Sequence, residues 1–151
     1  MDILKVPKLK RKASLWIHPE GQVIGSLFVR EKSLQHEGEE QLIETLNENM
    51  AFVVLEKNNP EQLCFYNRNS IIRVEYTDDS AVSDNLTLSC ELHMMDGSII
   101  SGNIHEDLPQ DQSRLFDYLN QQDNRFIKLY TAEHEICLIN KSYINNVISL
   151  N

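Results

Sequence analysis

The second half of this chain is a diverged copy of the first, and any fold it adopts must accommodate that duplication. Leu42-Ile43-Glu44-Thr45-Leu46-Asn47 reads against Leu115-Phe116-Asp117-Tyr118-Leu119-Asn120 as Leu, apolar, acid, any residue, Leu, Asn. Phe52 and Leu55 answer to Phe126 and Leu129. The run Cys64-Phe65-Tyr66-Asn67-Arg68-Asn69-Ser70-Ile71 answers to Cys137-Leu138-Ile139-Asn140-Lys141-Ser142-Tyr143-Ile144, with Val74 opposite Val147. Upstream, Gly21 and Gly25 answer to Gly97 and Gly102. The offset stays between 73 and 77 residues, which places the small gaps in loops.

Each copy reads as two strands, a helix, then two or three strands. In the second, Asp96-Gly97 joins Ser89–Met95 to Ser98–Glu106 as a hairpin turn in which both positions take positive φ. Glu20-Gly21 makes a similar hairpin, with a less ideal turn, between Ser14–His18 and Gln22–Val29. Gly25 and Gly102 lie inside strands, where glycine marks a bulge, a bend or the close approach of another backbone. Leu42, Ile43 and Leu46 form the apolar stripe of a first helix, and Leu115, Phe116 and Leu119 that of a second. Asp111 or Ser113 caps the second helix, and Asn47 and Asn120 end the two helices in the left-handed conformation. Strands follow at Ala51–Glu56, Gln62–Tyr66 and Ser70–Tyr76, and again at Arg125–Tyr130, Ile136–Asn140 and Tyr143–Leu150. The expected fold is α+β and mainly antiparallel. It is a tandem, pseudo-twofold repeat of a ββαββ(β) unit forming small curved sheets or barrels. Residues 1–12 make a basic leader, 13–76 the first repeat, 77–88 an Asp- and Ser-rich linker, and 89–151 the second repeat.

A single domain of 151 residues buries roughly 70% of its unfolded surface, against roughly 60% for a lone half. That difference favours two halves that pack together. Net charge is −9, unevenly placed. Lys5, Lys8, Lys10, Arg11 and Lys12 against Asp2 give the leader +4 and leave −13 for the rest. An acidic body repels phosphate backbones and anionic lipid. Cys64, Cys90 and Cys137 form no C-x-x-C pair, and two of them occupy matched apolar positions, where free cysteine packs as a small hydrophobe. With no apolar leader segment and no membrane-span candidate, the expectation is a cytoplasmic protein.

Candidate chemistry is sparse. His18, His36, His93, His105 and His134 form no pair at ligand spacing, so no metal site or cofactor is expected. Glu37, Glu39, Glu40, Asp78, Asp79, Asp107, Asp111, Glu133 and Glu135 fall in loops or at helix starts, where solvated charge is the ordinary reading. No G-x-S-x-G, H-E-x-x-H, P-loop or G-x-G-x-x-G motif occurs. Arg68 and Lys141 hold the same place in Asn-Arg-Asn-Ser-Ile and Asn-Lys-Ser-Tyr-Ile. They offer a partner carboxylate or phosphate a cation, or else sit solvated beside an asparagine turn. Trp16, Phe28, Phe65, Tyr66, Tyr118 and Tyr143 read as core or interface.

The second half resembles an uncharacterised bacterial domain family. The resemblance runs through Gly102-x-Ile104, Arg114-Leu115-x-Asp117-x-Leu119-Asn120, Phe126-Ile127-x-Leu129 and Ile139-Asn140-Lys141-x-x-Ile144-x-x-Val147. It covers the first half only loosely, and it implies no activity and no functional residue. Gln41 stands where the second half has Arg114, so a role for Arg114 would be asymmetric. The closing strand-kink-strand also resembles the end of Sm-like small barrels. The basic binding loops of RNA-binding members are missing here, and the helix between strands two and three departs from that pattern.

By elimination, the sequence points to a non-enzymatic protein-binding or adaptor module using a groove between the units or an exposed edge strand. The alternative is a regulatory module that binds an anionic ligand or nucleic acid through Arg68, Lys141, Arg114, Lys8, Lys10, Arg11 and Lys12. The expected partner is another protein, not nucleic acid, and a homo-oligomer stays open.

Overall fold

The computed structural model describes residues 8–58, 60–79, 87–105 and 114–150. The chain divides into two compact units, Met1–Val74 and Glu75–Asn151. In the first, β1 (Lys8–Ile17) and β2 (Gly21–Arg30) form a long hairpin. Helix α1 (Leu42–Asn47), β3 (Phe52–Lys57) and β4 (Gln62–Asn67) follow. A 3-10 turn (Arg68–Ser70) leads into β5 (Ile71–Thr77). The strand order is β5-β1-β2-β3-β4. The β1–β2, β2–β3 and β3–β4 pairs are antiparallel.

Strict alternation explains the hairpin. Ala13, Leu15 and Ile17 of β1 and Val23, Leu27 and Val29 of β2 are buried. Their intervening neighbours are half-buried or exposed. Leu27 stands opposite Leu55, which extends this buried face into β3. The same alternation reaches back through Leu9 and Arg11. Lys8 to Lys12, read from sequence as a separate leader, therefore form the first half of β1. Helix α1 buries Leu42 and Leu46, one turn apart, and lies against β2.

The second unit contains β6 (Thr87–Met94), β7 (Ile99–His105), α2 (Arg114–Leu119) and β8 (Phe126–Ala132). Strand β9 (Glu135–Asn140), a 3-10 turn (Lys141–Tyr143) and β10 (Ile144–Ser149) complete it. Its strand order is β10-β6-β7-β8-β9. The last residues of β5, Glu75–Thr77, also belong to this unit. There Asp78 N–H donates to the His134 carbonyl at 2.8 Å, so the end of β5 meets the start of β9. Cys90, Leu92, Ile104, Phe126, Ile127, Leu129 and the run Ile136–Ile139 fill the interior.

The fold is thus mainly antiparallel sheet with two six-residue helices among the described residues. The sheet is not closed into a barrel. The strands at the two ends of each order are joined by a 3-10 turn that redirects the chain, and among the described residues no ladder forms between them. Asn67 and Asn140 build these turns as their sequence positions suggest. Each side chain accepts the backbone N–H two residues on, from Asn69 at 2.9 Å and from Ser142 at 3.0 Å.

Three local expectations are corrected. Of Asp96-Gly97 only Gly97 has positive φ, and Met94 N–H donates to Ser98 across a three-residue loop. This is the longer hairpin loop with glycine in the left-handed position. Neither Asn47 nor Asn120 is left-handed. The Asn120 amide instead donates to the Phe116 carbonyl at 2.8 Å, closing the helix end with a side chain. The buried stripe of α2 is rotated: Phe116 is exposed and Tyr118 is buried, because the Tyr118 hydroxyl accepts the Lys128 N–H at 3.2 Å. The expected caps Asp111 and Ser113, and residues 80–86 of the expected linker, lie outside the described residues.

Gly25 and Gly102 mark close backbone approach. A Cβ at Gly25 would lie 2.6 Å from the Glu56 carbonyl oxygen, and one at Gly102 2.5 Å from that of Tyr130. Backbone cannot yield there without moving a strand. Gly25→Ala and Gly102→Ala are each expected to lower stability by about 1–3 kcal/mol. A urea midpoint that falls at unchanged slope checks this; an unchanged midpoint in either variant contradicts it.

Candidate functional site

The basic residues singled out by sequence are placed very differently from one another. Arg68 opens its 3-10 turn and is only 8% exposed. Its guanidinium donates to the Leu46 carbonyl at 3.4 Å, at the C-terminal end of α1. Lys141 holds the corresponding place in the second unit. Its Nζ donates to the Leu119 and Gln121 carbonyls at 3.0 and 2.8 Å, where α2 ends. A cation at a helix C-terminus satisfies carbonyls that have no intrahelical partner and opposes the negative end of the helix dipole. The matched Arg/Lys therefore has a structural use in each unit, facing inward to a helix end. Burial lowers the Lys141 pKa from its usual value, as expected of an ammonium drawn against the protein.

Lys8, Lys10, Arg11 and Lys12 lie on β1. Lys10 pairs with Glu56 at 2.7 Å and Arg11 with Glu39. The hydrogen bond that Lys10 donates to Glu56, and then the charge of Glu56, raise the Lys10 pKa. Lys8 and Lys12 are exposed. Arg114 begins α2.

A polar cluster absent from the sequence reading surrounds α1. Glu40, read as solvated, is 4% exposed. It accepts from the Arg30 N–H and the Thr45 hydroxyl, each at 3.0 Å, and pairs with the Arg30 guanidinium, which also reaches Glu48. Glu44 closes a capping box with Gln41. It also accepts from Ser33 at 2.6 Å and meets His36 Nε2 at 2.9 Å. Burial pushes both carboxyls up, but these donors outweigh it, and both pKa values end below the ordinary carboxylate value. Every acid in the cluster is engaged in tying residues 30–41 to the helix, so the arrangement is an anchor. Among the described residues no three His, Cys, Asp or Glu converge as metal ligands.

Elsewhere, ionisable groups are pushed away from neutral-pH chemistry. Burial, then the hydrogen bond to Glu20 at 2.9 Å, pushes the Tyr66 hydroxyl up to about 12. Burial pushes the Cys90 thiol up.

What stands out on the first unit is apolar surface at a sheet edge. Strand β4 ends the order, and among the described residues no strand lies beyond it. Its outer N–H and C=O groups form a row open to pairing. Phe65 faces Val54 across the β3–β4 ladder, and Leu63 faces Glu56. Residues directly opposite share a face, so Leu63 and Phe65 lie with Phe52 on β3 and with Ile24 on β2. All four are more than half exposed. Cys64 and Tyr66 point the other way and are half-buried. The strand carries no Lys, Pro or acid of the kind that blunts an edge against pairing. Sequence reading placed Phe65 in core or interface without choosing. The signal that could have chosen was the apolar residue at every odd position from 63 to 65 beside Cys64 and Tyr66, which gives β4 two apolar faces and only one core to cover them.

No protein-family model, curated protein or solved structure matches this chain.

Two outcomes test this assignment of roles. Lys141→Ala should lower stability by about 1–3 kcal/mol by removing the bonds to the Leu119 and Gln121 carbonyls at the end of α2, whereas Lys8→Ala should stay within about 0.5 kcal/mol. Urea unfolding of the pair checks it; equal effects contradict it. The second concerns pH. The Glu37 carbonyl, then Glu44, raise the His36 pKa above 6.5. Its contribution is full below 6.5 and is lost as pH rises through the raised value. The contribution of Glu44 is full above 4.5 and is lost as pH falls through its lowered value. Anchoring of residues 30–41 is thus firmest between those two values. An NMR titration should find His36 above 6.5, with the resonances of Ser33 and Glu44 moving at the same midpoint. A His36 midpoint at or below 6.5 contradicts the pairing.

Proposed function

We propose that this chain is a non-enzymatic, cytoplasmic protein-binding module built from a duplicated unit, and that its binding surface is the edge of β4 with the apolar face beside it. The single observation that carries the reading is an unblunted edge strand flanked by exposed Ile24, Phe52, Leu63 and Phe65. Such an edge captures an extended segment by main-chain hydrogen bonds, while alternate side chains add apolar contact. Duplication is supported by the identical strand order of the two units, their matching asparagine turns, their matching cations at helix ends and the glycines packed under a carbonyl. Three free thiols suit a reducing compartment. No helix of the described residues is long and apolar enough to cross a membrane.

Affinity capture with a matched variant tests the reading. Phe65→Asp places a charge on the apolar face at the edge and is expected to abolish capture of a protein partner with no loss of helix or sheet signal in circular dichroism. Lys8→Glu with Lys12→Glu should leave capture intact. Capture that survives Phe65→Asp but is lost with the lysine pair contradicts it.

A further inference from the structure

We propose that His105 is an acid-sensitive latch in the second unit: its neutral ring stacks on Tyr130 and holds β7 against β8, and a proton on that ring opens the seam. The latch stands apart from the protein-binding reading of β4 and uses none of its residues.

The seam is short. Strands β6 and β7 are laddered from Thr87 opposite His105 to His93 opposite Ile99. Strands β8 and β9 are laddered from Phe126 opposite Asn140 to Ala132 opposite Glu135. Among the described residues β7 meets β8 only at Asn103 opposite Tyr130. Side chains supply the rest. The His105 ring lies on the Tyr130 ring, with centroids 4.0 Å apart and planes 23° apart. The Tyr118 hydroxyl accepts the Lys128 N–H at 3.2 Å and ties α2 to β8 beside it. Closure between these two strands therefore leans on the stacked imidazole.

A proton on His105 works against closure in two ways. The first is hydrogen bonding. Nδ1 is buried and has no hydrogen-bond partner among the described residues. A neutral ring tolerates this, because one of its nitrogens carries no hydrogen. An imidazolium carries N–H on both, and a buried donor without an acceptor is costly. The second is charge. Lys128 Nζ stands 5.4 Å from the centroid of the same Tyr130 ring, so an ammonium is already present there. The other neighbours offer no counter-charge. Thr87 of β6 lies opposite His105, while Glu91 lies opposite Ser101 and pairs with His93 at 2.9 Å. Burial, then the charge of Asp78, push the Tyr76 hydroxyl well above its ordinary value, so it stays neutral beside Tyr130. Glu106 and Asp107 lie outside the described residues.

The direction of the response follows. Burial, then the charge of Lys128, lower the His105 pKa from its ordinary 6.5. An open seam returns the ring to water and to that ordinary value, so protons favour the open form. Closure is complete above 6.5 and is lost as pH falls from there through the lowered value. The first unit supplies a reference. Phe28 lies three residues beyond Gly25, as His105 lies three beyond Gly102, and a phenyl ring has no proton to gain. The β2–β3 ladder beside it, with Leu27 opposite Leu55, lacks the latch.

The test is amide exchange of the full chain from about pH 7.5 to about pH 5.5, with each rate corrected for its intrinsic pH dependence. Protection of Asn103–His105 and Lys128–Tyr130 should fall on acidification. The fall should reach about tenfold for each unit by which the His105 midpoint, read by NMR, lies below 6.5. Leu27 and Leu55 should keep their protection. His105→Phe leaves a ring on Tyr130 and removes the proton, so its seam should stay protected throughout. Lys128→Met is read without that variant: it should raise the His105 midpoint and shrink the fall in protection. Seam protection that ignores pH, a wild-type midpoint at or above 6.5, or an equal fall in His105→Phe overturns the proposal. So does a midpoint that Lys128→Met leaves unmoved.

Discussion

Every backbone N–H and C=O in a sheet needs a partner, and a sheet that does not close leaves two strands with half of theirs turned outward. That constraint governs this protein more than any side chain does. Two ten-residue strands and a set of shorter ones give ample hydrogen bonding inside each unit. A three-residue turn then diverts the chain away from the strand it has just made. The interior is completed, and the edge is not.

Much of this was legible. Alternation in Ala13-x-Leu15-x-Ile17 and Val23-x-x-x-Leu27-x-Val29 points to strands with one covered face, and the structure covers that face. Gly25 and Gly102 stand out in sequence because a strand interior gains nothing from glycine unless something presses on it, and a carbonyl oxygen does. Asn67 and Asn140 announce their turns through the reach of a short amide. What could not be read was where cations and anions go once the chain folds. Arg68 and Lys141 are matched because two helices end beside two turns, a fact of three dimensions. Glu40 is buried because Arg30, ten residues earlier, returns to meet it. Closure was also beyond the sequence, since it depends on the direction in which a turn sends the next strand, and hydrophobic period carries no record of direction.

The pattern of cations separates support from recognition. Where a basic residue recurs in both units, it faces a helix end and serves the scaffold. Along β4, Cys64, Phe65 and Tyr66 are half-buried or exposed, whereas Cys137, Leu138 and Ile139 at the matching positions of β9 are buried. Differences between the two units at matching sequence positions are thus more informative about function than their similarities, because the similarities serve each scaffold. Charge that ties residues 30–41 to α1 belongs to the same scaffold.

Hydrogen–deuterium exchange of the β4 amides addresses the central claim most directly. An unfinished edge predicts that outward-facing amides among Leu63–Tyr66 exchange quickly in dilute solution, while those of Val53–Leu55 stay protected. Amides of β4 that are all as slow as those of β3 in dilute solution would contradict the account.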